Sequence, residues 1–129
     1  MTKRFKMDPT IKLRWTRALS SGEYKQGVGF LRVVRPNGER IYCCLGVLCE
    51  LHARETGGPG FEPAKVKGTG DLYMGVNNVL PEPVRKWAGL SSTRGGLVAI
   101  DEETIKELTT INDEGVDFQF ISDWIEKNL

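Results

Sequence analysis

Histidine occurs once in this chain and cysteine three times. No apolar run approaches the ~18 residues that a membrane span requires. A single imidazole leaves few of the common hydrolytic mechanisms open, since most need a histidine as general base. GxSxG, HExxH and CxxC are all absent. Three cysteines, two of them adjacent, do not make a disulfide framework, and they place the expectation in a reducing cytoplasm. The basic start "MTKRFKMDP" has no apolar stretch after it and does not read as a secretory signal. There is no internal repeat and no low-complexity tract. What remains is a chain of 129 residues, with 40% hydrophobic and 27% charged residues, expected to fold as one domain over 1–129.

The net charge of +1 hides a split. Residues 1–40 carry ten Lys and Arg against three Asp and Glu, a net +7, while residues 101–129 carry nine acids against two lysines, a net −7. Opposite ends of this kind attract one another within a fold or across a homo-oligomer. They also suit an anion at one end and a basic partner at the other.

Local signals place most elements. Asp8 is a natural N-cap and Pro9 suits a first helical position. Ile11, Trp15, Ala18 and Leu19 then share a helical face up to Ser20, Ser21 and Gly22. Phe30–Val34 and Arg40–Cys44 flank "RPNG", which predicts a β-hairpin over about 29–44 with Gly38 left-handed. "CLGVLCELHARETGG" continues as a helix closed by Gly57. Residues 57–79 hold six glycines and two prolines and read as a loop or insert, with "LYMGV" as a short strand. "LPEPVRKWAGL" is a short helix with Val84, Trp87 and Ala88 inward, and "GLVAI" is a strand. The ending predicts an antiparallel helical hairpin, with Asp101 and Asp117 as caps. Ile100 with Ile105, and Val116 with Ile121, form the hydrophobic staples. Ile105, Leu108 and Ile111, then Phe118, Ile121 and Ile125, face inward, with Phe120 and Trp124 on a neighbouring stripe. The fold class is α+β and rich in helix.

All three cysteines and the histidine fall within "CCLGVLCELH". C-C-x4-C-x2-H is the ligand set of a Cys₃His zinc site with the wrong spacing, because structural zinc sites pair their ligands across two to four residues on a turn. Cys49 and His52 share a helical face, but Leu45 and Leu48 mark that face as buried, where a reactive thiol does not belong. The segment therefore reads as core, with His52 capping or pairing with Glu50 or Glu55. No catalytic residue, no metal ligand and no cofactor is expected.

Binding residues are easier to nominate. Arg32, Arg35, Arg40 and Tyr42 lie on or beside the hairpin. Tyr73, Asn77, Asn78, Arg85, Trp87 and Arg94 lie in or near the central loops. Arginine with aromatics and amides can stack on a base and hold a phosphate. The plainer alternative is a solvated basic face over a tryptophan in the core.

"RWTRALSSGEYKQGVGFL", "YCCLGVLCEL", "LPEPVRKWAGL" and "LTTINDEGVDFQFISDWIEKNL" occur in this order. Together they resemble a widespread family of small phage and prophage proteins, over about Trp15 to Leu129. The chain departs from that pattern in its ending, where Thr110 and Ile111 stand near an expected Leu-Asn, and in its long glycine-rich insert. The resemblance implies phage origin, and with it a protein that acts on host defence. The expectation is a non-enzymatic, homo-oligomeric protein that sequesters a small anionic nucleotide signal. The alternative is a direct inhibitor of a host defence protein, working through the acidic C-terminal helices. The acidic last third argues against a broad nucleic-acid surface.

Overall fold

Residues 6–99 and 105–129 are described by the computed structural model. The first helix, α1 (Pro9–Ser20), begins where the Asp8 carboxylate accepts hydrogen bonds from the Thr10 and Ile11 amides at 2.9 and 3.0 Å. Ile11, Trp15 and Leu19 are buried at the spacing of one helical face. The indole of Trp15 donates to the Cys44 carbonyl at 2.9 Å, so the largest buried side chain also satisfies its polar atom.

Three short strands follow: β1 (Lys25–Gln26), β2 (Arg32–Val34) and β3 (Arg40–Tyr42). β2 and β3 form the expected antiparallel hairpin, though shorter than 29–44, with Val33 opposite Ile41. The Gly38 amide donates back to the Arg35 carbonyl at 2.8 Å and Gly38 sits at φ 86°. β1 adds in parallel on the other side of β3, giving the order β1-β3-β2. Two residues without alternation carried no sign of that pairing.

α2 (Cys44–Thr56) runs through the centre of the core, with Cys44–Cys49 all buried. Its first turn passes directly under the hairpin. A Cβ on Gly46 would lie 1.7 Å from the Leu31 carbonyl oxygen, so only glycine lets the helix and hairpin approach this closely. β4 (Phe61–Glu62) and β5 (Leu72–Tyr73) pair within the glycine-rich segment. α3 (Glu82–Ala88) ends at Gly89.

The last third departs from expectation. β6 (Leu97–Ala99) pairs with β7 (Ile105–Glu107), so residues 105–107 are strand rather than the first turns of a helix. Ile105, expected inward, is exposed. The proposed Asp101 cap and Ile100 lie outside the described residues. α4 (Leu108–Asp113) is only six residues long and buries Leu108, Ile111 and Asn112. α5 (Phe118–Asn128) begins at the Asp117 cap and buries Phe118, Ile121 and Ile125 as expected. Its principal partner, however, is α1 rather than α4. The two helices run in opposite directions, with the Ser122 hydroxyl donating to the Thr16 carbonyl at 2.9 Å and Pro9 beside Lys127. The architecture is a single α+β domain whose core is built around α2. No helix among the described residues is long and apolar enough to cross a membrane.

Candidate functional site

The cysteine segment is core. Cys43, Cys44 and Cys49 are free and buried. Burial pushes the Cys43 thiol up to about 12, and the Cys44 and Cys49 thiols well above their ordinary value. Thiolates are disfavoured at all three positions, and nucleophilic chemistry with them. Cys43 has a structural task that the sequence reading missed: its sulfur caps α2 by accepting from the Gly46 amide at 3.4 Å. His52 bonds to neither Glu50 nor Glu55. Its Nδ1 lies 2.6 Å from the Tyr73 hydroxyl, and its ring packs edge-on against Trp87 with centroids 5.0 Å apart. No group of three or more His, Cys, Asp and Glu among the described residues could hold a metal ion.

Four of the ten nominated binding residues are drawn into one closed layer between the hairpin, α2 and the glycine-rich segment. Arg32 donates through Nε to Asp71 at 2.7 Å, with both side chains largely buried. Its guanidinium also lies 4.5 Å above the centre of the Phe61 ring. Tyr42 packs edge-on against Tyr24 and Phe61. Tyr73 is fully buried and burial raises its hydroxyl to about 12, so it stays protonated beside His52. Trp87 closes the layer from α3. Tyr42 and Tyr73 therefore cannot stack on a ligand, and the nomination is corrected: their rings fill the core. The same layer ties residues 57–79 down. The Asp71 carboxylate holds the Ala64 amide at 3.1 Å, and the Leu31 amide donates to the Asn77 carbonyl at 2.7 Å.

The other six do not converge. Arg35 pairs with Glu39 at the hairpin tip, 3.1 Å apart. Arg40 and Asn78 are exposed at separate places, and Asn77 is held through its backbone. Arg85 forms two bonds to Glu82, at 2.9 and 2.8 Å, and a third to the Leu90 carbonyl. An arginine so matched by a neighbouring carboxylate is a poor seat for a further anion. Asn77 lines a hollow of about 250 Å³, and Arg94 lines a larger cavity.

That cavity is an open cleft of about 730 Å³ between the 91–96 loop, the β6–β7 ladder and the end of α5. The loop is pinned by Leu80 N to Thr93 O at 2.8 Å, Leu108 N to Gly96 O at 2.8 Å and Thr109 N to Arg94 O at 3.2 Å. Trp124 supplies an aromatic wall, packed against Gly96, with Leu97 and Leu129 beside it. Ser91, Ser92 and Thr93 bring hydroxyls, and Arg94 brings the cation. Glu107 engages Arg94 through Nε at 3.3 Å, and among the described residues no other carboxylate pairs with this guanidinium. Trp124 was absent from the sequence nominations, because its spacing put it beside the inward stripe of α5.

These features define a small α+β domain with a preformed surface cleft of ligand size. The chain belongs to the family described as Domain of unknown function (DUF8296), whose model matches residues 7–129. No curated protein and no solved structure matches it.

Proposed function

We propose that this is a non-enzymatic binding protein that counters host antiviral defence by sequestering a small anionic nucleotide, held in the Trp124–Arg94 cleft. The counter-defence setting rests on the resemblance of its four ordered motifs to small phage proteins. The observation that supports a ligand is the cleft itself, where a tryptophan face, a guanidinium and three hydroxyl residues meet in one cavity of suitable volume. A base stacks on the indole while a phosphate takes the terminal amino groups of Arg94, on the side away from Glu107, and the hydroxyls.

Native mass spectrometry of protein purified from a bacterial host tests for a captured nucleotide, seen as extra mass lost on denaturation. Titration with ADP-ribose and with a cyclic dinucleotide tests the site. Arg94→Ala and Trp124→Ala are each expected to weaken binding by about tenfold. Unchanged affinity in both folded variants rejects the cleft.

Direct inhibition of a host defence protein through the acidic C-terminal helices is the second proposal, and the exposed Phe120 on α5 favours it. Its acids are already engaged: Asp113 accepts from the Gly29 amide, Glu114 pairs with Lys106, and Asp117 caps α5. Charge reversal there would disturb the fold as well as a partner, so Phe120→Ala is the cleaner probe of that alternative.

A further inference from the structure

The cleft opens onto a face that carries exposed apolar side chains. Cross-strand partners point to the same side of a ladder. The Leu97–Glu107 and Ala99–Ile105 pairs therefore place these four residues on one face of β6–β7, with Val98 buried on the other. Leu97 is 68% exposed and Ile105 64% exposed. Leu97 and Glu107 also line the cleft, so the face runs without a break into the Trp124 wall. Phe120, 52% exposed, shares a second hollow with Trp124 one helical turn away. A contiguous apolar surface of this kind on a folded chain marks an interface.

We propose that this face is a twofold interface with a second copy of the chain, and that the second copy closes the cleft. The charges around the face identify the occupant. Among the described residues they are of both signs: Arg94 with Glu107, and Lys127 with Asp123 beside Phe120. A uniformly basic or acidic partner would set like charges against part of this rim. A twofold copy places residue i against j and j against i, which lets a mixed rim complement itself. The cleft also wants a lid, since small ligands are buried over most of their surface when bound and this cleft is open on one side. The lid rests on the ligand reading of the cleft; the dimer does not.

Sedimentation velocity on the full chain, from micromolar to near-millimolar protein, tests the interface. The wild type is expected to sediment as a dimer. Leu97→Lys and Ile105→Lys are expected to be monomeric with unchanged circular dichroism, while Val66→Lys, at a site elsewhere that is 64% exposed, stays dimeric. A wild type that is monomeric throughout, or a dimer that survives both lysine substitutions, overturns the interface. Calorimetric titration with ADP-ribose then separates the two halves. An affinity at least tenfold weaker in the Leu97→Lys monomer supports the lid, and equal affinity overturns it. Absence of binding to the wild type overturns the lid and the ligand reading together and leaves the dimer standing.

Discussion

Asn112 uses its whole side-chain amide in the core. Its oxygen accepts from Gln26 Nε2 at 3.1 Å and the Cys44 amide at 3.2 Å, and its nitrogen donates to the Gly27 carbonyl at 2.9 Å. Gln26 in turn donates to the Val116 carbonyl at 2.6 Å. One fully buried residue thus joins β1, the start of α2 and α4. Asn112→Leu would leave several buried polar groups without partners, each costing about 1–3 kcal/mol. The expected loss is about 3 kcal/mol, read as a lower urea midpoint at unchanged slope. His52 is the second sensitive residue. Burial lowers its pKa, and no acid side chain bonds to it to offset that. The unfolded chain then binds the proton more readily, so stability is fully present above about pH 6.5 and falls as pH drops through the lowered value. His52→Phe should remove that part of the slope between pH 7 and 5, measured by denaturation at each pH.

At the scale of elements, the parts written in local chemistry were legible. The Asp8 and Asp117 caps, the Arg35–Gly38 turn and the Gly57 and Gly89 stops all lie where their residue types suggest. Pairings across long separations were not. The strand at Ile105–Glu107 is three residues long and owes its form to β6, a pattern too short to separate from the first turn of a helix. The same limit hid the site. Arg32 looked available because Asp71, which neutralises it, is 39 positions away, and the cleft joins residues 91–97 to 124–129. The ordered motifs of the resemblance acquire physical content here. Trp15, Gln26, Cys44, Gly46 and Asn112 hold elements against one another. The contact between hairpin and α2 is the least tolerant of these. Gly46→Ala forces the Leu31 carbonyl aside, and overpacking of backbone on backbone costs about 3 kcal/mol. A variant that keeps wild-type thermal stability would refute the close approach.

Across the whole molecule, the opposite charges of the two ends meet in the packing of α1 on α5. Lys12 and Arg17 face Asp123 and Glu126 across one open groove, without close ion pairs among the described residues. Two of the ten basic residues of 1–40 and two of the nine acids of 101–129 are thereby set across one groove.

The pairing of first helix with last also bears on how the protein is made. Thr16 and Ser122 are 106 positions apart, yet their hydrogen bond lies at the centre of the α1–α5 seam. During synthesis α1 must wait about as long as that separation before Ile121 and Ile125 arrive to complete the core that also holds Trp15 and Leu19. The core is therefore closed only once α5 has left the ribosome, and a ribosome stalled before residue 118 holds a chain whose apolar face is still open to chaperones and proteases.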